Sequence, residues 1–550
     1  MSDKTDTPRV EIYDTTLRDG TQAQGVSLSL QDKQALAKAL DEFGVDYIEG
    51  GYPLSNPKDE AFFRDAAALG LKRATLVAFG MTRRKDAAVE DDAGIKALLD
   101  SGAGTITVVG KASIMHVREV LRASDEENLA MIADSVRYLV ESGREVFFDA
   151  EHFFDGYKAD ADYALAALRT AADAGASCVV LCDTNGGSTL TDVSRLTERV
   201  VEAMGPTRVG IHCHDDCGLG VANSLTAVRH GARQVQGTIN GIGERCGNAD
   251  LVAVIGNLAV KHGYKVLRDG ALARLTELSR YVYEVANLNF RDSQPFVGAS
   301  AFAHKGGMHV SAVQRKAETY EHMDPAVVGN ARRILVSELS GVSNIAANAP
   351  AKFGIGGDRD AQRKVLKALM QMENEGYQFE AAEGSFDMLI RRTLGGRWYR
   401  RLWELDHYRC IILRRGDGVG TEATVKVAVG GEPAHTVAEG DGPVNSLHRA
   451  LCGALRPHYP CVDVLHLADY KVRVVNTAAE SAARVRVVIE WHDPAVGRYF
   501  GTVGVSENII DASWLALVDA MEYKVLTDTE SAGADAPPAP PKEGTRPHDD

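Results

Sequence analysis

The sequence lacks several features that define whole classes of protein. No apolar run approaches the roughly 20 residues of a membrane-spanning helix, and the N-terminus has no apolar signal core. The formal net charge of −15 and the absence of a basic stripe disfavour a nucleic-acid partner. Eight cysteines are scattered without paired C-x-x-C motifs. We therefore expect a cytoplasmic protein with free thiols, no membrane partner and no thiolate zinc site.

The chain has 550 residues, which is too long for one hydrophobic core. Its first half alternates short apolar runs with amphipathic helical stretches, a pattern typical of a parallel sheet. No G-x-G-x-x-G motif follows the first run, which disfavours a doubly wound sheet. Eight such units in about 250 residues predict an α/β fold, a (β/α)8 TIM barrel. The predicted strands are Val10–Tyr13, Tyr47–Glu49, Ala74–Ala78, Thr105–Val109, Glu145–Phe148, Cys178–Leu181, Arg208–Ile211 and Gln234–Ile239.

The barrel is followed by a helical subdomain and an α+β regulatory domain. The last region contains a weak repeat, in which a strand, a glycine-containing turn and a helix occur twice. Helix N-termini attract carboxylates, although two ordinary capped helices would give the same pattern. The tail is rich in Pro, Ala and acidic residues, which predicts disorder. The predicted domains are 1–275 (catalytic barrel), 276–405 (helical subdomains and linker contributing to the active site), 406–527 (regulatory and dimerisation) and 528–550 (disordered tail).

Unusual polar residues cluster where the predicted strands end. In a TIM barrel these ends meet at one rim, where active sites are found. The rim segments are Asp14–Gly20, Glu49, Asp149–His152, Asp183–Asn185, His212–Asp216 and Asn240–Asn248. This clustering predicts a functional site at the rim.

The stretch His212-Cys213-His214 ends the seventh strand. Side chains two apart on a strand point the same way, so both imidazoles would face one point. With the carboxylate of Asp19 they form three ligands for a divalent metal, and Asn248 is a fourth ligand or a contact of one. Mixed O and N donors suit Mn²⁺, Mg²⁺, Zn²⁺ or Co²⁺, and the sequence does not choose among them. Two unrelated polar residues on a strand are the alternative.

Open positions on such a metal would chelate a 2-oxo acid and polarise its ketone. Arg18 would stabilise negative charge on the reacting oxygen. Thr184 offers a hydroxyl to a substrate carboxylate, and Glu151 could act as an acid or base, or orient one. Each residue also has an ordinary structural interpretation: Arg18 in an ion pair, Glu151 in an exposed loop and Thr184 as a helix cap.

Three separated motifs together carry a family resemblance: Asp14-Thr15-Thr16-Leu17-Arg18-Asp19-Gly20, His212-Cys213-His214-Asp215 and Gly243-Glu244-Arg245-Cys246-Gly247-Asn248. With them the chain resembles the 2-isopropylmalate, homocitrate and citramalate synthases. The segments Glu151–Tyr157, Asp183–Gly187 and Gly110-Lys111 are most similar to the citramalate synthase branch. The resemblance extends through about Thr527. Thr21 and Cys246 depart from the pattern common in isopropylmalate synthases, where glutamate and alanine are usual.

The resemblance implies a role for each matching residue. Asp19, His212 and His214 match metal ligands with Asn248 beside them, and Arg18 matches the arginine at the keto oxygen. Thr184 matches the threonine at the substrate carboxylate. The remaining catalytic positions are Glu151, His309 and Tyr320, where His309 reaches the site from the helical subdomain, often that of the partner subunit.

The implied reaction is a condensation of acetyl-CoA with pyruvate, followed by thioester hydrolysis, in isoleucine biosynthesis. The resemblance also implies a homodimer whose C-terminal domain binds a branched-chain amino acid. A 2-isopropylmalate synthase acting on 2-oxoisovalerate is the nearest alternative. From another class, a metal-dependent acyl-CoA or oxo-acid lyase is the alternative. A biotin-dependent carboxyltransferase would use a barrel lysine at the metal, and the matching rim segments contain none except Lys111. A non-enzymatic amino-acid sensor would lack rim residues, and none is missing.

Overall fold

The chain folds into two compact units. The first comprises residues 8–302 together with Met323–Arg332, and the second comprises 303–322 together with the chain from Arg333 onward. The structure, a computed structural model, describes residues 8–305, 307–334, 353–416, 418–475 and 483–531. No helix in these ranges is both long and apolar enough to cross a membrane.

The first unit is built around a closed barrel of eight parallel strands. Each strand pairs with the next in chain order, and the first closes against the eighth. The predicted (β/α)8 barrel and all eight of its strands are therefore confirmed. The strands are β1 (Glu11–Asp14), β2 (Tyr47–Gly51), β3 (Thr75–Met81), β4 (Thr105–Lys111), β5 (Glu145–Glu151), β6 (Cys178–Asp183), β7 (Arg208–Cys213) and β8 (Gln234–Gly237).

Alternate residues of the strands supply two separate cores. Tyr13 and Phe147 belong to a small cluster that fills the inside of the barrel. Their neighbours Ile12 and Phe148 belong to the large cluster between strands and helices. Because side chains alternate along a strand, one apolar run serves both faces. This explains why the barrel strands are continuously apolar rather than alternating.

Capping side chains set the helix boundaries around the barrel. Helix α1 starts after Ser29, whose hydroxyl accepts the N–H of Asp32 while the Asp32 carboxylate accepts the N–H of Ser29. It ends at Gly44, where φ is 101°, a conformation that favours glycine. The helices are α1 (Leu30–Phe43), α2 (Pro57–Arg64), α3 (Ala66–Leu69), α4 (Ala93–Asp100), α5 (Asp125–Glu141), α6 (Phe153–Ala159), α7 (Ala161–Asp173), α8 (Leu190–Met204), α9 (Gly220–Arg229), α10 (Leu251–Gly256) and α11 (Leu275–Val285).

The last barrel strand is shorter than predicted. It ends at Gly237, whereas the apolar pattern extended to Ile239, and Ile239–Gly241 forms a 3-10 turn. Asn240 in this turn has φ 67° and donates from its amide to the carbonyl of Ser279 at 2.9 Å. This long-range bond to α11 turns the chain away from the barrel, so the local pattern alone overestimates the strand.

The second unit begins with short strands and helices. The two-residue strands β9 and β10 pair in parallel. The apolar periodicity of 360–375 predicts a helix there, and the observed helix Arg359–Asn374 begins and ends one residue earlier. The elements are β9 (Ala303–His304), α12 (Gly307–Arg315), β10 (Arg333–Ile334), α13 (Arg359–Asn374) and α14 (Glu383–Leu394).

The predicted repeat is present as two three-stranded antiparallel sheets, each followed by a helix. The glycine-containing turn predicted before the second helix is absent at Thr502–Ser506, which is instead the end of a strand. Glycine is required at position 504 because the helix packs closely on this strand. A Cβ at Gly504 would clash with the Ala512 carbonyl. The elements are β11 (Glu404–Arg415), β12 (Gly418–Val429), β13 (Glu432–Gly440), α15 (Pro443–Leu455), β14 (His466–Val474), β15 (Val485–Asp493), β16 (Arg498–Ser506) and α16 (Ile509–Ser531).

Helix α16 corrects the predicted start of the tail. It runs to Ser531, so residues 528–531 are helical rather than disordered. Lys524, which is buried, binds Asp493 at 2.5 Å and Asp528 at 3.0 Å, and these bonds hold the last turns. The rest of the predicted tail, 532–550, lies outside the described residues, as does the N-terminal stretch 1–7. The predicted boundaries at 275 and 405 stay a prediction; the division between compact units falls at 302.

Candidate active site

The predicted metal ligands meet at the mouth of the barrel. Asp19 follows β1, His212 lies in β7, and His214 follows β7 directly. One ligand atom from each of the three lies within 4.8 Å of the others. The two imidazole rings stack with centroids 5.4 Å apart, and all three side chains are buried. The spacing on β7 therefore aims both histidines at one point, as the H-x-H motif predicted. Cys213 between them points into the apolar core.

A buried glutamine fixes the orientation of His212. The Nδ1 atom of His212 lies 2.9 Å from the amide oxygen of Gln236, which can only accept a hydrogen bond. With its proton on Nδ1, the ring donates to Gln236 and presents the lone pair of Nε2 on its other side. Nε2 faces two further oxygens, Oδ1 of Asn248 at 2.9 Å and Oδ2 of Asp19 at 3.5 Å. Three electron-pair donors thus face one another, an arrangement that needs a cation or a proton between them.

Two buried atoms at this point have no hydrogen-bond partner within the described part of the chain. They are Oδ1 of Asp19 and Nδ1 of His214. An unpaired buried polar atom costs free energy, so such atoms usually mark a bound ion or water. The donor set of one carboxylate, two imidazoles and an amide oxygen suits a divalent metal. Asp19, His212, His214 and Asn248 therefore fit a divalent metal ion as its ligands.

The electrostatic environment keeps Asp19 and His214 in the protonation states that bind a metal. Burial raises the pKa of Asp19, but the charge of Arg18 and then the two histidines outweigh it and lower the pKa to about 2. Burial lowers the pKa of His214 to about 4, assisted by His212. At neutral pH Asp19 is therefore a carboxylate and His214 a neutral imidazole, which are the ligating forms.

Arg18 is held over the mouth by three contacts. Its Nε donates to Glu49 at 2.7 Å and its Nη1 to Asp19 at 3.2 Å. The guanidinium lies 3.9 Å from the centroid of the Phe79 ring. Burial by itself lowers the pKa of Arg18. The Glu49 and Asp19 carboxylates more than offset this effect, so the pKa is raised and the group stays charged. The structure thus fixes a cation beside the metal-ligand cluster.

Glu49 is the anchor of this arrangement, a role that the sequence analysis missed. It is fully buried and accepts hydrogen bonds from Tyr13 at 2.8 Å, from Thr15 and from Arg18. Its position at the end of β2 marked it as a rim residue. The pattern did not reveal its partners, because they lie on β1 and in the loop after it.

The other predicted rim residues face the same cavity. Glu151, the last residue of β5, forms an ion pair with Lys111, the last residue of β4. Thr184 follows β6, and its hydroxyl accepts the N–H of His152 at 2.9 Å. A hydroxyl that accepts one bond still has its own proton to donate, so Thr184 remains able to bind a carboxylate.

These side chains line one cavity of about 320 Å³ in the first unit. Its wall carries the predicted ligands and Arg18 together with apolar groups such as Met81 and Val109. A pocket that combines convergent polar groups with apolar walls is typical of a small-molecule site. The lining residues are Arg18, Asp19, Gln22, Tyr52, Phe79, Met81, Val109, Lys111, Asp149, Glu151, Cys182, Thr184, His212, His214, Glu244 and Arg245.

Asn248 reaches the metal-ligand cluster because a glycine makes room for it. It is buried, and its backbone forms an isolated bridge with His214. A Cβ at Gly243 would clash with the Asn248 amide, so the Gly243–Asn248 loop requires glycine at that position. Asn248 thus lies beside the cluster, as predicted.

His309 and Tyr320 belong to the second unit. Their rings stack with centroids 4.1 Å apart, and both side chains are exposed. The stacked pair is consistent with a shared task. Their roles in the reaction stay predictions.

The comparisons with known proteins cover nearly the whole chain. Residues 9–282 match the HMGL-like family, residues 296–376 the homocitrate synthase post-HMGL domain-like family, and residues 380–525 the LeuA allosteric (dimerisation) domain. The (R)-citramalate synthase of Aquifex aeolicus is 48% identical over 95% of this chain and 99% of that protein. That of Geobacter sulfurreducens is 49% identical over 96% of this chain and 99% of that protein.

The chain belongs to the (R)-citramalate synthase family. The predicted family is therefore confirmed. A probable 2-isopropylmalate synthase of Methanopyrus kandleri is more distant, at 34% identity over 93% of this chain and 97% of that protein. The match to the LeuA domain begins at 380, upstream of the predicted boundary at 406.

The sequence analysis did not assign a role in the site to two further residues, Gln236 and Lys111. Gln236 lies inside β8, where it looked like an ordinary strand residue. Lys111 was singled out as part of the Gly110-Lys111 segment that carries the family resemblance. Both contacts depend on which strands are neighbours, and a polar residue inside a buried barrel strand is the signal that could have drawn attention to Gln236.

Proposed function

We propose that the chain catalyses the condensation of acetyl-CoA with pyruvate and the hydrolysis of the resulting thioester, giving (R)-citramalate and CoA. One observation carries the proposal: Asp19, His212 and His214 converge at the barrel mouth beside Arg18. The chain in which they converge is 48–49% identical to (R)-citramalate synthases over 95–96% of its length. The product would enter isoleucine biosynthesis.

Asp19, His212 and His214 would hold a divalent metal, with Asn248 as a fourth ligand or a neighbour. The metal would be Mn²⁺, Mg²⁺, Zn²⁺ or Co²⁺. When bound, it would polarise the 2-oxo group of the substrate. Gln236 supports this task, because it keeps the lone pair of His212 Nε2 directed at the ligand cluster.

Arg18 and Thr184 would bind and orient the 2-oxo acid. Arg18 is held rigidly by Glu49 and Phe79, so its charge needs no rearrangement when the keto oxygen becomes negative. Thr184 would donate its hydroxyl proton to the substrate carboxylate. The cavity therefore offers separate partners to the two ends of a small 2-oxo acid.

Glu151, His309 and Tyr320 would carry the proton transfer. Condensation requires a base that removes a proton from the acetyl methyl group, and a positioned side chain contributes about 10²–10⁴-fold to such a step. Glu151 lines the cavity, whereas His309 and Tyr320 are assigned by family resemblance. His309, alone or together with Glu151, would be the base, and it would come from the same or the partner subunit.

Regulation and assembly would follow the C-terminal domain. Residues 380–525 match the LeuA allosteric (dimerisation) domain. We propose a cytoplasmic homodimer whose activity responds to a branched-chain amino acid, isoleucine or leucine. Gel filtration would test the dimer, and inhibition by each amino acid would test the effector.

Release of free CoA by the purified protein tests the function. The assay supplies acetyl-CoA, a divalent metal and one 2-oxo acid at a time: pyruvate, 2-oxoisovalerate or 2-oxoglutarate. We expect the highest kcat/KM with pyruvate and (R)-citramalate as the product by chiral chromatography. A preference for 2-oxoisovalerate would instead assign the 2-isopropylmalate synthase reaction. No CoA release with any 2-oxo acid would reject the condensation altogether.

A further inference from the structure

The cavity contains a second fixed cation besides Arg18. Lys111 ends β4, Glu151 ends β5, and the sheet register places these two residues directly opposite each other. Their side chains form an ion pair inside the cavity wall. Because a parallel register is set along the whole strand, this contact is built into the barrel and does not depend on a loop.

The backbone around the pair is also held. The amide of Asn128, which is fully buried, donates to the carbonyl of Lys111 at 2.9 Å. The N–H of Ala112 donates to the carbonyl of Glu151 at 3.1 Å. The pair therefore projects from two strand ends that are tied to each other and to α5. Such an anchored pair keeps its geometry better than two exposed side chains do.

The Lys111 side chain is more buried than that of its partner. It is 12% exposed, whereas the Glu151 side chain is 25% exposed. The lysine therefore lies deeper in the wall, and the carboxylate is the more accessible of the two. Both side chains lie at the mouth of the barrel, where catalytic residues of this fold are found.

We propose that Lys111 is a positioning residue of the condensation that acts through Glu151. The inference rests on the proposed function. The ammonium of Lys111 holds the Glu151 carboxylate in one orientation, turned toward the cavity. An ion pair between two anchored strand ends restricts the rotamers of the carboxylate, so its oxygens stay where they can meet a proton or a cation.

The chemistry gives this arrangement a purpose. In the first step a C–H bond of the acetyl methyl group breaks, the electron pair stays on carbon, and the proton passes to the base. A correctly oriented Glu151 accepts that proton itself or stabilises the imidazolium that forms when a histidine accepts it. A Glu151 side chain turned away from the cavity does neither. Lys111 therefore contributes to the proton step without touching the 2-oxo acid.

The test is a double-mutant cycle on the holoenzyme with pyruvate and acetyl-CoA. The variants are Lys111→Met, Lys111→Arg, Glu151→Gln and the double variant Lys111→Met/Glu151→Gln. We expect Lys111→Met to lower kcat about 10- to 100-fold, with the KM for pyruvate changed less than about threefold. Lys111→Arg restores the charge and should recover most of kcat. In the Glu151→Gln background, Lys111→Met should cause no further loss, because residues that act as a unit are not additive.

Lys158→Met is the matched control. Lys158 forms an ion pair of 3.0 Å with Asp192, on helices of the same barrel. Its removal should leave kcat unchanged, and thermal unfolding of all variants checks that they fold. Wild-type kcat in Lys111→Met, or losses that multiply in the double variant, would overturn the role of Lys111. An inactive wild type would reject the proposed function, and the positioning role with it.

Discussion

The two ends of the barrel treat charged and polar groups in opposite ways. At the N-terminal end of the strands, Arg208 opens β7 and donates to Glu11, the first residue of β1, at 2.6 Å. It also binds Glu145, the first residue of β5, at 3.3 Å. At the other end, the lone pairs of Asp19 and His212 face each other. At the N-terminal end a cation lies between two carboxylates, whereas at the mouth, beside the ion pairs of Arg18 and Lys111, a carboxylate and two imidazoles converge on one point.

This difference separates stability from function. At the N-terminal end the guanidinium of Arg208 lies between two carboxylates, so each of these three charges has an opposite charge in contact. At the mouth, Oδ1 of Asp19 and Nδ1 of His214 have no hydrogen-bond partner among the described residues. Burying such unpaired atoms lowers the stability of the fold. This cost is removed when a ligand binds at the site and pairs with them.

Removal of a metal ligand should give the largest effect. We expect Asp19→Ala or His212→Ala to lower kcat/KM at least about 1,000-fold, because the cation that polarises the 2-oxo group is lost. Adding Mn²⁺ or Mg²⁺ should not restore activity. Steady-state kinetics across a metal titration measures this.

Asp173→Asn is the control for that loss. Asp173 is an exposed carboxylate at the end of α7, so its removal should leave kcat/KM within about twofold. Full recovery of Asp19→Ala at high metal concentration would mean that the carboxylate is dispensable at the mouth.

Removal of the glutamine behind His212 should give a smaller effect of the same kind. Gln236→Leu deletes the acceptor of the Nδ1 proton, so both tautomers become available. We expect the Kd for Mn²⁺ to rise about 10- to 100-fold. Isothermal titration calorimetry of the metal-free protein provides the measurement.

Gln234→Leu is the matched variant, since it removes the same type of side chain two residues earlier on β8. In the wild type, Gln234 accepts a long hydrogen bond of 3.4 Å from Gln236. Its Kd should change less than about threefold. Equal Kd values for both variants would argue that His212 is oriented by something else.

At the opposite end of the barrel the expected effect is on stability alone. Arg208→Met leaves Glu11 and Glu145 facing each other without their cation. We expect the free energy of unfolding to fall by about 2 kcal/mol, while kcat/KM of the folded protein stays within about twofold. Denaturant unfolding together with kinetics tests both parts. A selective loss of kcat with unchanged stability would erase the distinction between the two ends.

The smallest effect concerns pH. Burial lowers the pKa of His214 to about 4, below the ordinary value of about 6.5. The unfolded chain therefore binds this proton first, and stability that is present above pH 6.5 is lost as the pH falls toward 4. We expect this contribution to be about 1–2 kcal/mol between pH 7 and 4.5.

The measurement compares the metal-free wild type with His214→Asn at both pH values. Burial also raises the pKa of Asp14 and of Asp149 to about 7. Both residues are present in the wild type and the variant, so their contributions cancel in the difference. The wild type should lose more stability than the variant on acidification. Parallel curves would show that His214 does not titrate in this range.

The barrel and the metal-ligand cluster could be predicted from sequence because each depends on local spacing. The eight apolar runs became eight strands, and the two-residue spacing of His212 and His214 placed both rings on one face. Asp19 followed from its position just past β1. The two βββα halves of the second unit were also foreseeable as a repeat of strand and helix patterns.

What could not be predicted depends on partners distant in sequence. The anchoring of Arg18 by Glu49 joins residues 31 apart, and the pair Lys111–Glu151 joins residues 40 apart. Such contacts follow from strand order and register, which a single strand does not encode. The early end of β8 has the same origin, because Asn240 is turned by a hydrogen bond to α11.

Direct binding of Mn²⁺, followed by the electron paramagnetic resonance signal of the free ion, tests whether Asp19, His212 and His214 hold one divalent metal. We expect one tightly bound Mn²⁺ per wild-type chain and none in the Asp19→Ala/His212→Ala variant. Pyruvate should alter the spectrum of the bound ion, since the substrate would bind beside it. Binding of equal affinity and stoichiometry in the double variant would place the metal elsewhere and contradict the account.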